Sequence, residues 1–231
     1  MRRGALILIA TTAVAAAALP APAHAGTYQV IACHDFHGGP GEPHTSVNSS
    51  WTQVPATPPT GLEAFVSCPP QGSLQHNGIV VEDHIPGPPD TPGGSDLFWR
   101  FSAPAGTTIT HVDLDRFLGK EGQQEWRPYG RADGAIFDTC DIASGQSDCQ
   151  NVGDASFAIN DATTLDYGVR CDAPTVCGVG SNTVDHRVWV SLYSVHVTLS
   201  DPSAPTMSGP GGDAVVFHLH PGAPRDVELG G

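Results

Sequence analysis

Hydrophobic and polar positions alternate with a period of two along most of the chain after residue 26. Such alternation is typical of β-strands, because successive side chains of a strand point to opposite sides of a sheet. The clearest runs are TYQVIAC (27–33), LEAFVSC (62–68), GIVVEDH (78–84), DLFWRFSAP (96–104), TTITHVDLDRFLG (107–119), GAIFDTC (134–140), TTLDYGVRC (163–171) and HRVWVSLYSVHVTLSD (186–201). Helical periodicity is almost absent from the same region. The pattern predicts an all-β fold, a two-sheet antiparallel β-sandwich of the jelly-roll or concanavalin-like kind.

The segment 186–201 carries the strongest strand pattern. Its odd positions are predicted to form one nearly continuous apolar face, made of Trp189, Tyr193, Val195, Val197 and Leu199. Val188, Val190 and Leu192 make the first half apolar on the other face as well. This pattern indicates a central strand that is covered on both sides. Trp51, Trp99 and Trp189 all lie in strand patterns, so we expect them in the core.

The first 25 residues resemble an export signal. Arg2 and Arg3 precede an apolar run over 5–19, and Ala-His-Ala at 23–25 supplies a signal-peptidase site. The apolar run falls short of the roughly 20 residues that span a bilayer. We therefore predict a cleaved signal peptide (1–25), a β-sandwich domain (26–202), and a Pro/Gly-rich linker with a short strand-like tail (203–231). The mature protein is expected to be soluble and extracellular or at the cell surface, without a membrane span.

All six cysteines follow the signal: Cys33, Cys68, Cys140, Cys149, Cys171 and Cys177. Two hypotheses are open: these cysteines form either a four-thiolate metal site or a set of disulfide bonds. Zinc sites usually begin with a C-x2-4-C knuckle, whereas the spacings here are C-x8-C and C-x5-C. Export favours disulfides. Six cysteines allow 15 pairings, among which proximity favours Cys140–Cys149 and Cys171–Cys177 and leaves Cys33–Cys68.

The chain is acidic, with a formal net charge of −14 that becomes −16 once Arg2 and Arg3 leave with the signal. Because such a chain repels phosphate backbones, we expect no nucleic-acid partner. The acidic surplus is either a solvated face or a source of oxygen ligands for Ca²⁺. No cofactor is otherwise expected. The 27 glycines and 21 prolines fit many short strands joined by turns.

The segment KEGQQEWRPYGRADG (120–134) mixes aromatic and polar residues and is poor in strand signal. Sugar-binding loops need this mixture, because a ring stacks on the sugar while amide and carboxylate groups bind its hydroxyls. The predicted ligand-binding residues are Gln123, Glu125, Trp126, Arg127, Tyr129 and Asp133. The alternative is that Trp126 only anchors the loop to the core.

Catalytic and metal signals are weak. In the run 107–119, alternation places Val112 and Leu114 on one face and Asp113 and Asp115 on the other. Two carboxylates on one face can act as acid and base, or as metal ligands. His218 and His220, at i and i+2, could likewise share a metal ion. No G-x-S-x-G or H-E-x-x-H motif and no paired-glutamate glycosidase motif occurs.

The order TYQVIAC, NSSW, FVSCPPQGSL, LFWRFSAPAGTTITHVDLDR, paired cysteines and VWVSLYSVHVTLSD resembles a group of exported proteins from high-GC actinobacteria. These proteins carry one concanavalin-like or jelly-roll sandwich, often followed by Pro-rich linkers and immunoglobulin-like modules. The resemblance covers roughly residues 26–202. It implies a fold and a location, but no established activity.

The sequence thus favours a secreted, non-catalytic recognition module whose partner is an extracellular polysaccharide or cell-wall glycan. One alternative is a structural or adhesive surface protein without a small ligand. The third is a secreted polysaccharide-active hydrolase, which the missing catalytic motifs disfavour. Oligomeric state has no sequence signal.

Overall fold

A computed structural model describes residues 26–33, 50–68, 78–83, 89–122, 125–144, 146–180 and 186–202. In chain order, the strands within these ranges are β1 (Gly26–Ala32), β2 (Trp51–Val54), β3 (Leu62–Ser67), β4 (Gly78–Asp83), β5 (Thr91–Pro92), β6 (Asp96–Ser102), β7 (Thr108–Glu121), β8 (Trp126–Ala132), β9 (Ala135–Thr139), β10 (Asp148–Ala162), β11 (Thr164–Cys171), β12 (Val176–Cys177) and β13 (Val188–Asp201). No helix occurs within them. The predicted all-β fold is confirmed. The signal and tail segments, 1–25 and 203–231, lie outside the described residues.

Two large sheets form the domain. Sheet A has the order β10-β7-β13-β4-β3, with β1 also paired to β13, and sheet B has the order β2-β6-β11-β8-β9. A third, two-stranded sheet joins β12 and β5. Neighbouring strands are antiparallel in every pair. Apolar side chains from the facing sides of sheets A and B form one main core, so the predicted sandwich is confirmed.

Strand β13 lies at the centre of sheet A. It pairs with β7 along its whole length, and on its other side with β4 through Trp189–Leu192 and with β1 through Val195–Asp201. A register shift between Leu192 and Ser194 makes Tyr193 a bulge residue. The bulge changes which residues share a face. Three residues before it and three after it face the main core: Val188, Val190, Leu192, Val195, Val197 and Leu199.

The single apolar face predicted for the odd positions of 186–201 is therefore wrong, because the bulge interrupts the period of two. Trp189 and Tyr193 lie on the opposite side of sheet A, in a separate cluster with Phe117. Trp189 is buried, as expected of a core residue, but it lies in this second cluster rather than in the main core. Trp51 is buried in the main core and Trp99 packs against it, as predicted.

Two basic side chains of β7 cross the sandwich. Arg116 forms a two-pronged ion pair with Asp138 of β9, with Nε–Oδ2 and Nη2–Oδ1 distances of 2.6 and 3.1 Å. Lys120, the only lysine of the chain, donates from Nζ to the carbonyl of Trp126 in β8 at 3.0 Å. Burial lowers the pKa of this amine by desolvation, against the opposing charge of Asp141. An ion pair and a hydrogen bond thus connect the two sheets across a mainly apolar core.

Three disulfide bonds staple the sandwich, with the connectivity that proximity favoured. Cys33–Cys68 joins the ends of β1 and β3, Cys140–Cys149 joins the end of β9 to β10, and Cys171–Cys177 joins β11 to β12. Since no cysteine remains free, the four-thiolate metal site is excluded.

Two regions differ from the sequence prediction. The segment 120–134 is mostly strand rather than loop, because β7 continues to Glu121 and β8 begins at Trp126. The 15-residue strand β10 gave no clear strand pattern. It lies at the edge of sheet A, where only one side of the strand is paired and little apolar surface is buried. No helix in the described ranges is long and apolar enough to span a membrane.

Candidate functional site

The structure buries both aromatic residues of the predicted binding loop. Trp126 is 0% exposed and lies in the main core, where its indole Nε1 donates to the carbonyl of Gly178 at 2.8 Å. Tyr129 is 1% exposed and donates from its hydroxyl to Asp96 at 2.6 Å. Neither ring offers a face on which a sugar could stack. The structure does not support a stacking role for either residue, and the alternative that Trp126 anchors its segment to the core fits its position.

The polar residues of the same segment separate into different environments. Glu125 is exposed in the turn before β8, and Arg127 projects from β8. Asp133 occupies the β8–β9 turn in a left-handed conformation (φ 43°). It accepts hydrogen bonds from the backbone N–H groups of Thr163 and Thr164 at 3.0 and 2.9 Å. Gln123 lies outside the described residues.

The contacts of Asp133 indicate a structural role for this residue. Desolvation acts to raise the pKa of its carboxyl, but the hydrogen bonds from Thr163 and Thr164 outweigh it and lower the pKa. The carboxylate therefore fixes the turn against the start of β11. Of the predicted set, Arg127 and Tyr129 are the two that the structure brings onto one surface.

That surface is the side of sheet B that faces away from the core, which we name the arginine face. Alternation along three adjacent strands places its side chains there. The face comprises Asp96, Phe98 and Arg100 of β6, Asp166 and Arg170 of β11, Arg127, Tyr129 and Arg131 of β8, and the following residue Asp172. Sequence reasoning found only Arg127 and Tyr129. The spacing Arg127-x-Tyr129-x-Arg131 places three side chains on one side of β8 and could have added Arg131, but it carries no signal for the members in β6 and β11.

One half of the arginine face is a closed ionic network. Asp166 binds Arg100 through both carboxylate oxygens, at 2.7 and 2.9 Å, and Arg131 Nε at 2.9 Å. Arg131 also donates to Asp96 at 3.0 Å. Its guanidinium lies 4.5 Å from the ring centre of Phe98 and 4.8 Å from that of Tyr129.

The network sets the ionisation of its members. Burial, together with the charge of Asp96 and the hydrogen bond to it, raises the pKa of the Tyr129 hydroxyl. The hydrogen bond to Asp166 raises the pKa of Arg100 despite its partial desolvation. Tyr129 therefore stays a neutral donor and Arg100 stays a cation at any physiological pH. The network holds its polar groups in fixed positions on a rigid sheet.

The other half of the face contains two arginines that share one carboxylate. Arg127 Nη2 lies 2.7 Å from Asp172 Oδ2, and Arg170 Nε lies 3.1 Å from Asp172 Oδ1. The side chains of Arg127 and Arg170 are 45% and 49% exposed. This is the accessible part of the arginine face.

Positive charge is concentrated on this face. The basic residues in the described part of the chain are Arg100, Arg116, Lys120, Arg127, Arg131, Arg170 and Arg187. Arg116 and Lys120 are buried, and the guanidinium Nε of Arg187 is buried too. The remaining four lie on the arginine face, on a chain whose formal net charge is −14. A guanidinium donates five N–H groups in a planar fork, so this face suits ligands rich in oxygen acceptors.

The opposite surface of the sandwich, the outer side of sheet A, holds the predicted acid pair. Asp113 and Asp115 share this side of β7 as expected, since their neighbours Val112 and Leu114 face the core. His111 Nε2 lies 3.1 Å from Asp113 Oδ1 and 2.8 Å from Ser156 Oγ. In a catalytic triad the histidine binds the acid through one ring nitrogen and the nucleophile through the other. Here a single nitrogen makes both contacts, so the group is not arranged as a triad.

An aromatic cluster adjoins these polar residues on the outer side of sheet A. Phe117 and Trp189 pack edge to face, with ring centres 5.4 Å apart, and Tyr193 completes the cluster. Gly119 permits this packing, because a Cβ there would lie 2.2 Å from the Trp189 ring. Burial and the charge of Asp115 raise the pKa of the Tyr193 hydroxyl. All three side chains are buried, so they do not form an accessible platform.

Metal ligands were predicted on both Asp113/Asp115 and His218/His220. Within the described ranges, no group of three or more His, Cys, Asp or Glu side chains is arranged to hold a metal ion. His218 and His220 lie outside those ranges. An open, polar depression of about 560 Å³ lies over residues 146–151 and contains no ionisable cluster.

His186 lies against two buried acids at the C-terminal end of strand β4. Its ring contacts Glu82 and Asp83, with N–O distances of 3.6 Å to each carboxylate. Asp83 itself accepts hydrogen bonds from the backbone N–H groups of Arg187 and Val188 at 2.7 and 3.0 Å. Desolvation acts to lower the pKa of His186, but the hydrogen bond and charge of Asp83 and the charge of Glu82 outweigh it, so the pKa is raised.

This environment predicts a pH-dependent stability. A raised folded-state pKa means that protonated His186 stabilises the fold fully below its unfolded pKa of about 6.5. That stabilisation is lost as the pH rises through the higher folded-state value. We expect the free energy of urea unfolding to fall in this window, and a His186→Gln variant to lack that component. In a Glu82→Gln variant, the fall in unfolding free energy with rising pH should be smaller than in wild type. Identical pH profiles for wild type and His186→Gln would contradict the assignment.

Comparison with known proteins yields little. No family model matches the chain, and no curated protein matches it. Among solved structures, a family 35 carbohydrate binding module from Clostridium thermocellum aligns with a TM-score of 0.28 and 11% sequence identity, covering 64% of this chain and 90% of that one. A likeness at this TM-score carries no argument about fold or ligand.

Proposed function

We propose that this protein is a secreted, non-catalytic recognition module that binds extracellular polysaccharide through the arginine face. The observation that carries the proposal is the set of four arginines held by aspartates on one rigid sheet surface. Fixed, partly exposed donors of this kind match the hydroxyl and carboxylate oxygens of a sugar chain. Export and three disulfides would suit such a role outside the cell.

Two features explain how the face could bind without a stacking aromatic ring. Arg131 is clamped between Phe98 and Tyr129 and bonded to two aspartates, so it is ordered before any ligand arrives. Preorganised donors lose little side-chain entropy on binding. The side of a sheet also suits an extended polymer better than a small molecule, which needs a concave pocket.

Affinity electrophoresis of the mature, oxidised chain through gels containing soluble neutral and acidic polysaccharides tests the proposal. We expect at least one polymer to retard the protein. An Arg100→Gln/Arg127→Gln variant should lose that retardation, because it removes donors from both halves of the arginine face.

An Arg225→Gln variant controls for the loss of positive charge as such, one unit against the two that the double variant loses, since it removes a cation outside the described residues and should bind like wild type. Circular dichroism and thermal melting verify that each variant is folded. If no polymer retards the wild type, or if the double variant migrates as the wild type does, the proposal fails.

A second candidate is a structural or adhesive surface protein. The burial of Trp126 and Tyr129 and the three disulfides favour a durable spacer without a small ligand. The two functions differ in a thermal-shift measurement. A recognition module gains melting temperature as its polysaccharide is added, because the ligand binds only the folded state. A spacer shows no shift with any polymer in the panel.

A further inference from the structure

We infer that the polysaccharide is acidic, and that its carboxylate groups bind between Arg127 and Arg170. This inference rests on the proposed function and narrows it to a ligand class. It comes from the accessible half of the arginine face, where two guanidinium groups share a single counter-ion.

The register of the sheet brings the two cations together. Arg170 of β11 is the direct cross-strand partner of Arg127 of β8. Like charges that face each other across neighbouring strands repel, and the arrangement needs a negative charge to stabilise it. Asp172 supplies one. Asp96 of β6, the neighbour of Arg170 on its other side, already binds Arg131 and Tyr129. The four arginines and three aspartates of the arginine face therefore leave one positive charge in excess.

The existing contacts also leave donors for a ligand. Within the described residues, Asp172 is the one ion-pair partner of either Arg127 or Arg170. Each guanidinium has five N–H groups, of which the pair uses few. Both side chains are about half exposed, so the remaining donors can be reached from solvent.

The geometry favours a carboxylate in particular. The carboxylate of Asp172 already receives one guanidinium on each oxygen, Arg127 on Oδ2 and Arg170 on Oδ1. A planar guanidinium fork matches a planar carboxylate. The Asp172 carboxylate therefore occupies the donors that a ligand carboxylate would use, and the two groups compete for them.

Other acids nearby limit which polyanions can approach. Glu125 is exposed at the turn before β8, and its backbone carbonyl accepts the N–H of Asp172 at 2.7 Å. The formal net charge, −14 for the whole chain and −16 without residues 1–25, acts on the whole surface. A densely charged phosphate polymer meets this repulsion along its length. A uronate chain carries its charges further apart and also offers hydroxyls to the rest of the arginine face.

The test compares one polymer in two charge states. Polygalacturonate and its fully methyl-esterified form share a backbone and differ in the carboxylate. We expect the mature protein to bind the acid form at least tenfold more tightly, by isothermal titration calorimetry, and to lose that preference in Arg127→Gln/Arg170→Gln. Because both arginines are half exposed, the melting temperature of this variant should remain near that of wild type.

The variant Asp172→Asn gives the result of opposite sign. It removes the competing carboxylate while keeping the side-chain shape, so binding of polygalacturonate should become tighter than in wild type. A merely structural role for Asp172 predicts no gain in affinity. The melting temperature does not distinguish the two roles, because Asp172 also offsets the repulsion between two like charges. Arg225→Gln again controls for the loss of one positive charge and should bind like wild type.

Several outcomes overturn the inference. Equal binding of the acid and ester forms, or weaker binding by Asp172→Asn, would show that the carboxylate is not the recognised group. Equal binding of dextran sulfate would remove the preference for carboxylate, and equal binding of single-stranded DNA would remove the preference for sugar. If only neutral polymers bind, and Arg100→Gln/Arg127→Gln abolishes that binding, the proposed function stands and this inference falls. If no polysaccharide binds, both fall.

Discussion

Replacement of Arg116 by methionine should lower the free energy of unfolding by about 3–5 kcal/mol, because it leaves a buried carboxylate without its partner. Arg116 of β7 and Asp138 of β9 connect the two sheets through paired contacts of 2.6 and 3.1 Å. Both side chains are almost fully shielded from water. Asp138 also accepts the hydroxyl of the core residue Tyr167 at 3.3 Å, which cannot by itself neutralise the charge. Urea denaturation monitored by tryptophan fluorescence measures the loss.

The double variant Arg116→Met/Asp138→Leu separates the cost of an unpaired charge from the value of the pair. Removing both partners leaves no buried ion, so the double variant should be more stable than Arg116→Met alone. It should remain below wild type because the hydroxyl of Tyr167 loses its acceptor. If the losses measured for Arg116→Met and for Asp138→Leu alone simply add in the double variant, the ion pair is not coupled across the sandwich as described.

Removal of the Cys33–Cys68 bond by a Cys33→Ala/Cys68→Ala variant should cost about 4 kcal/mol of unfolding free energy. The cysteines of this pair are 35 residues apart, the largest separation of the three bonds. In the chain-entropy model a longer closed loop restricts the unfolded chain more, and this raises the free energy of the unfolded state.

The matched control is Cys140→Ala/Cys149→Ala, whose separation is nine residues. The same model gives a loss of about 2.6 kcal/mol for it. Urea denaturation measures the loss of unfolding free energy in each variant, and intact mass spectrometry verifies that the remaining disulfide bonds are formed. A larger loss for the Cys140–Cys149 pair would show that native-state contacts, rather than loop length, dominate the contribution of these bonds.

The period-two pattern predicted the fold class because the central strands bury one side completely. In β7, Val112 and Leu114 face the core while Asp113 and Asp115 face outward, as alternation requires. The disulfide connectivity followed from sequence proximity. Alternation failed at Tyr193, since a bulge inserts one residue and moves Trp189 to the other side of the sheet. No local sequence signal marks that position, because every residue from 188 to 193 except Ser191 is apolar or aromatic.

The arginine face could not be predicted as a unit from the sequence. Its members come from β6, β8 and β11, which become neighbours only through the strand order of sheet B. Asp166 illustrates the difficulty: its partners Arg100 and Arg131 are 66 and 35 residues away along the chain. Composition drew attention to Trp126 instead, whose burial depends on the sandwich core and not on its polar neighbours.

The place of β13 in both the chain and the sheet has a consequence for biosynthesis. It is the last strand of the described chain, and it separates β7 from β1 and β4 in sheet A. A chain that stops before residue 188 therefore contains all the remaining described strands of this sheet. It lacks the strand that pairs with β1, β4 and β7. Sheet A cannot be completed before residues 188–201 have been made, because β1, β4 and β7 meet only through β13. Cooperative assembly of the sandwich is thereby postponed until β13 is present.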